Sequence, residues 1–299
     1  MQKTISFLPG SHKINYLFQK YVTKGVYLTQ DYFEDRLTHA TSHAKSFIEM
    51  QGNINGITTM ELGTGWYPVV PITMFLCGAK EIITVDIDRL LTKERLQTTL
   101  RMFTQHNDAS SLKSLPLSPA RWQALEKLTD ESDAMTLDEM LKRLNLRYLV
   151  TDARQLPLDS DSIDMVHSNN TFEHVYASVL SDILKEMKRV VKKNHQGVMS
   201  HAIDLSDHFA HFDTSITVYN FLKFSDAQWK WIDNSIQPMN RLRQSDYLKI
   251  YERLAIPLTK LLSQAPRKET LSAVSPGGKF KGYDADDLAV TQCRIVSVL

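Results

Sequence analysis

Thr59-Met60-Glu61-Leu62 runs without a break into Gly63-Thr64-Gly65, and Pro68 then leads the apolar run from Val69 to Leu76. This reads as a short buried strand ending in a tight turn, with a helix opening behind the proline. Proline suits a first helical turn because its missing N–H would have no partner there. Gly78 ends that helix. Glu81-Ile82-Ile83-Thr84-Val85-Asp86, β-branched and closed by an acid, reads as a second strand. Two strands joined through a helix of this length are expected to run parallel.

The alternation continues downstream. A helix is expected from Leu90 to about Phe103, with Leu96 and Leu100 one turn apart. Leu149–Asp152, Ile163–Ser168 and Gly197–Ser200 read as further strands, and Leu288–Val298 as a closing one. Val175–Val191 is the clearest helix: Leu180, Ile183, Leu184, Met187 and Val191 share a face opposite Lys185, Lys188 and Arg189. Such alternation predicts an α/β fold, a mostly parallel sheet with helices on both faces and right-handed crossovers. Residues 1–57 are expected to form a helical N-terminal extension, with Tyr16, Leu17, Tyr21, Phe33 and Leu37 near helical spacing. Residues 58–299 form the main domain, interrupted by a polar insertion at about 106–145 and an aromatic one at about 205–245. The aromatic stretch contains Phe209, Phe212, Tyr219, Phe221, Phe224, Trp229 and Trp231. It reads as a lid or as the face of a homodimer, with a base-stacking platform as the alternative.

Bulk properties narrow the partners. Hydrophobic residues make up 42% of the chain, enough for a real core. With 35 basic and 34 acidic residues the net charge is +1, which leaves no electrostatic footprint for general nucleic-acid binding. No stretch approaches the roughly 18 apolar residues of a membrane span. Two isolated cysteines, Cys77 and Cys293, and no signal-like N-terminus suggest a cytoplasmic protein.

The glycine turn lets backbone approach a ligand and opens a helix whose N–H groups face it; an ordinary strand–helix turn would look the same. Asp86, about twenty residues on, stands where nucleotide-binding α/β folds place an acid on the ribose; capping of the next helix is the alternative, and Asp88 fits that better. A dinucleotide site wants a third glycine where this chain has Pro68, and no phosphate-loop lysine follows. An adenosine without phosphates, carried on a sulfonium amino acid, suits the loop better.

Glu61-Leu62-Gly63-Thr64-Gly65-Trp66, Val85-Asp86-Ile87, Thr151-Asp152-Ala153-Arg154-Gln155-Leu156-Pro157 and Ser162-Ile163-Asp164-Met165-Val166 together resemble the ordered motifs of class I S-adenosylmethionine-dependent methyltransferases, most closely the type 11 group. The resemblance spans roughly residues 58–204. It implies a Rossmann-like seven-stranded sheet, S-adenosylmethionine as cofactor and methyl transfer to a small-molecule, sugar or lipid-precursor acceptor. It also implies a cofactor site: Gly63, Thr64 and Gly65 along the methionine part, Glu61 anchoring that loop through the α-amino group, and Asp86 on the ribose. Asp152 and the Ala153 N–H would meet adenine, with Ser168 and Asn169 beside the methionine and its methyl.

A methyl acceptor that must lose a proton needs a base. His201, His208 and His211 follow the fifth strand, near Asp204 and Asp207. They are candidates for that base; two histidines with an aspartate holding a cation, substrate hydrogen bonding and plain structural roles are the alternatives, and no metal is assigned. Glu173 and His174 read as site-lining. Arg241, Arg243 and Asp246 are candidates for contact with an anionic acceptor. Two other functions stay in view: a cofactor-binding protein that acts by association without transfer, and a dinucleotide oxidoreductase, which Pro68 disfavours.

Overall fold

The computed structural model describes residues 27–299, apart from 212, 214 and 235–237 and the side chain of residue 211. Tyr16, Leu17, Tyr21 and Phe212 therefore lie outside the described residues.

Seven strands form one sheet in the order β3-β2-β1-β4-β5-β7-β6. They are β1 (Thr58–Leu62), β2 (Glu81–Asp86), β3 (Leu146–Val150), β4 (Met165–Asn169), β5 (Val198–Asp204), β6 (Lys260–Gln264) and β7 (Gln292–Val298). β1 pairs in parallel with β2 and with β4, and β2 with β3. β7 runs against β5: the Leu299 N–H donates to Gly197 O at 2.9 Å and the Leu205 N–H to Thr291 O at 2.7 Å. The sheet is thus mostly parallel. β1 and β4 are buried at every position, as expected of central strands covered on both faces.

The described chain divides into two compact units. The larger holds residues 27–169, 182–201 and 296–299. Its first helix, α1 (Gln30–Gln51), is capped by the Thr29 side chain, which accepts from the Tyr32 N–H, and is closed by Gly52 at φ 89°. Phe33, Leu37, Ala40, Ala44 and Phe47 recur at helical spacing and are buried. They share a core with α2 (Val69–Leu76), every residue of which is buried, and with Leu96, Leu100 and Phe103 of α3 (Lys93–Gln105). Each buried leucine or phenylalanine among them contributes roughly 1.5–3 kcal/mol. Phe33 and Phe103 meet edge to face, centroids 5.0 Å apart.

The segment 106–145 is built into that core. It forms α4 (Ser110–Lys113), α5 (Pro119–Glu131) and α6 (Leu137–Arg143), and Leu112, Leu125, Leu128, Met140 and Leu141 are buried. α3 starts at Lys93 and not at Leu90, because Thr92 supplies the cap that Asp88 was expected to give.

The smaller described unit holds residues 170–181 and 202–295. Tyr219, Phe221, Leu222, Trp229, Met239, Phe280 and Leu288 form its core. Most rings of the aromatic stretch are therefore packed inward, while Trp231 stays 81% exposed. Arg243 is fully buried and donates to the carbonyls of Leu205 at 2.7 Å, Leu288 at 3.1 Å and Val290. Arg241 donates to Phe221 O and Phe224 O and pairs with Asp226. Both guanidiniums hold the fold, so neither is available to an anionic acceptor.

Candidate functional site

The C-terminal end of β1 carries the glycine turn. Gly63 and Gly65 take φ of 78° and 67°, conformations that disfavour a side chain. The Gly63 N–H donates to Val85 O at 2.8 Å, tying the turn to β2. The Gly65 N–H donates to Asp86 Oδ2 at 3.0 Å. One carboxylate oxygen of Asp86 thus braces the turn. A Cβ on Gly65 would meet nothing within 4 Å, so open space lies beside it. Burial raises the Asp86 carboxyl above its ordinary value, and the backbone N–H groups it faces partly offset this.

Glu61 lies one step earlier and is buried. Its Oε1 accepts from Asn169 Nδ2 at 3.3 Å, while Oε2 is buried with no hydrogen-bond partner. Burial pushes its carboxyl up to about 8, with the Asn169 hydrogen bond opposing. A carboxylate held in this way is stabilised by a cation supplied from outside.

Asn169 is held in turn. Because its amide nitrogen donates to Glu61, its Oδ1 faces His43 Nε2 at 2.8 Å as acceptor, and that imidazole nitrogen donates. His43 Nδ1, 2.7 Å from Ser200 Oγ, then accepts from the hydroxyl. The alternation of β-strands places Glu61, His167, Asn169 and Ser200 on the sheet face covered by α1, and Ser168 and His201 on the other. His43 was not singled out in the sequence, although it shares the buried face of α1 with Ala40, Ala44 and Phe47, where a polar residue needs a partner.

The other expected residues fall in two places. Ser168 Oγ pairs with His201 Nδ1 at 2.8 Å, both fully buried. Burial holds the His201 ring at about 3, with His167 beside it adding to the effect, so it is neutral. Asp152 follows β3 with its side chain 43% exposed and both oxygens engaged by Arg154 at 2.9–3.0 Å. That guanidinium holds its carboxyl below the ordinary value. Ala153 is buried. In the smaller unit, His208 opens a short 3₁₀ turn, His208–His211, with Nε2 3.4 Å from Asp204 Oδ2. The His208 ring meets the His174 ring edge to face at 4.9 Å, and one ligand atom from each of Glu173, His174 and His208 lies within 4.8 Å of the others.

Residues 124–199 match the sequence model of a family described as Methyltransferase domain. That match covers 76 of the 299 residues. The matched stretch begins downstream of the glycine turn and Asp86, so their part in a site rests on the geometry given above. No curated protein matches the chain. Among solved structures it resembles a chain of the complex between the Haloferax volcanii Trm112 methyltransferase activator and a methyltransferase, at 17% identity over 90% of this chain and 92% of that one, TM-score 0.47. It also resembles geranyl diphosphate C-methyltransferase from Streptomyces coelicolor A3(2), at 12% identity over 86% and 78%, TM-score 0.47. An S-adenosylmethionine-dependent methyltransferase from Mesorhizobium loti is similar at 13% identity over 85% and 96%, TM-score 0.46. Likenesses of this strength carry nothing about the acceptor.

The residues at the end of β1 and β2 fit S-adenosylmethionine. The buried Oε2 of Glu61 suits an ammonium group, the space beside Gly65 admits a ligand against backbone, and Asp86, whose carboxylate also faces the Ile87 and Asp88 N–H groups, lies at the turn where a diol would sit. Among the described residues no helix is long and apolar enough to cross a membrane.

Proposed function

We propose that the chain transfers the methyl group of S-adenosylmethionine to a small-molecule acceptor, with Glu61, Gly63, Thr64, Gly65, Asp86, Ser168 and Asn169 forming the cofactor side. The observation that carries this reading is the buried, partnerless oxygen of Glu61 beside a left-handed glycine turn braced by Asp86. When bound, the cofactor supplies an electrophilic methyl on a sulfonium. The protein supplies position: Glu61 holds the α-amino group, Asp86 Oδ1 the ribose, and the bare backbone at Gly63 and Gly65 the methionine chain. Alignment of this kind is worth on the order of 7–11 kcal/mol.

Adenine is assigned to the Asp152–Ala153 segment, where Arg154 competes for the carboxylate; the Ala153 N–H is the contact this reading keeps. On the acceptor side, Glu173 and His174 follow the end of β4, and His208 follows the end of β5. Ligands of open α/β sheets bind outside the carboxyl ends of strands. Within the smaller unit these three residues are the candidates for proton transfer and hydrogen bonding. His201, buried and paired with Ser168, positions β4 and takes no part in proton transfer. The balanced charge of the chain supports a small acceptor over a nucleic acid.

The test incubates the full chain with methyl-labelled S-adenosylmethionine and fractionated cell extract. Label is expected in the low-molecular-weight fraction and lost with Glu61→Gln. Label confined to nucleic acid or protein overturns the acceptor assignment.

A further inference from the structure

Glu173, His174 and His208 bring one carboxylate and two imidazoles to one point of the smaller unit, with one ligand atom from each within 4.8 Å of the other two. A cation bound to imidazole nitrogen at about 2.0–2.1 Å and to carboxylate oxygen at about 2.0–2.2 Å sets its ligand atoms roughly 3–4 Å apart. Small rotations of three side chains close the set to that spacing. We propose that these three residues bind a divalent first-row transition-metal ion.

Three features of the surroundings support a built site. His174 Nδ1 donates to Pro238 O at 2.8 Å, which fixes the tautomer and leaves Nε2 with a lone pair for a metal. Asp204 Oδ2 lies 3.4 Å from His208 Nε2, a carboxylate beside the ring of the kind that orients metal-bound histidines, and its Oδ1 accepts from the Ser206 N–H at 2.8 Å. The turn Phe172–His174, which carries two of the three ligands, is clamped by Asn240. The Asn240 N–H donates to Glu173 O at 2.9 Å, and its side-chain amide donates to Phe172 O at 2.7 Å and Val175 O at 2.8 Å. The ligand-bearing turn is thus held before any ion arrives.

Ligand chemistry sets the class of ion. Two imidazoles and one carboxylate, without thiolate, suit zinc, iron, cobalt, nickel or manganese, and suit calcium or magnesium poorly. Three protein ligands leave at least one position for water or an oxygen of another molecule. His208 then acts as a ligand and not as a free base. A hydroxyl bound at the open position loses its proton to water more readily because the cation stabilises the oxyanion. Metal binding by these three residues does not depend on which acceptor the chain uses.

The test uses the full chain without a metal-affinity tag, stripped with chelator and dialysed against Co²⁺ and then against metal-free buffer. Retained metal is measured by elemental analysis, and coordination by the visible absorption of Co²⁺. About one ion per chain is expected, with Co²⁺ affinity at least tenfold weaker in His208→Asn and in Glu173→Gln. Melting temperature and S-adenosylhomocysteine affinity are measured on each variant. Should Glu173→Gln fail to fold, His208→Asn, whose ring is only partly buried, keeps the comparison. Wild-type chain that retains no more Co²⁺ than a folded His208→Asn variant overturns the metal site. Failure of S-adenosylhomocysteine to bind counts against the cofactor site alone, because metal retention is read directly.

Discussion

Glu61 sets a conflict between stability and function in a single carboxylate. Its folded value, about 8, lies above the ordinary 4.5. Between those two values the folded chain keeps a proton that the unfolded chain has lost, so stability falls as pH rises through this window. The full effect is ~5 kcal/mol. Glu61→Gln keeps an acceptor for Asn169 and removes the charge. Its melting temperature is expected to exceed wild type by a margin that grows from pH 5 to pH 8 and then levels off. A constant margin across that range would show that Glu61 is not the titrating group. The same substitution should weaken cofactor binding at least tenfold. In the wild type, cofactor affinity should climb with pH, by up to tenfold per unit, until Glu61 is ionised near 8. Calorimetric titration across pH reads both the slope and the proton released. Asp86 calls for a gentler change, because one of its oxygens braces Gly65. Asp86→Asn retains that acceptor and should cost cofactor binding about 1.5–3 kcal/mol, the worth of a hydrogen bond to a charged group. Unchanged affinity would remove Asp86 from the ribose.

At the scale of elements, much of the larger unit was legible in the sequence. β1 is marked by the glycine turn that ends it, β2 by its β-branched run Ile82–Val85, and β4 by the run Ile163–Val166 that leads into it. β6 was not read, since Lys260–Gln264 is a short strand at the end of the sheet order, mostly exposed, with no alternation to see. Leu288 and Ala289 were assigned to the last strand and instead close a helical turn, Ala285–Ala289, capped by Asp284. Arg241 and Arg243 read as contacts for an anionic acceptor because nothing local shows that a guanidinium will be buried against carbonyls from distant segments. His43 was missed for the same reason: its partners lie 126 and 157 residues away. The structure makes α1 more than an appendage. His43→Leu should leave Ser200 Oγ and Asn169 Oδ1 short of a partner, at about 1–3 kcal/mol each. Urea denaturation reads the loss of stability. S-adenosylhomocysteine affinity should fall as well, because Asn169 steadies Glu61; a drop in stability with unaltered affinity would free the cofactor site from α1.

At the scale of the whole molecule, each compact unit has its own core and its own chemistry. The larger carries every residue assigned to the cofactor, and the smaller carries Glu173, His174 and His208. Arg243 is the pin of the smaller one, joining carbonyls that follow β5 to carbonyls that precede β7. Arg243→Leu removes the guanidinium and strands those carbonyls, a loss of about 3–5 kcal/mol. Hydrogen exchange resolved by segment should locate the damage: faster exchange at 205–207 and 288–291. S-adenosylhomocysteine at one hundred times its Kd stabilises whatever binds it by about 2.7 kcal/mol. Its protection should fall on 61–65 and 84–86, where the glycine turn meets Asp86. Protection that fell on 202–295 and spared the turn would place the cofactor in the other unit and undo the assignment of Glu61.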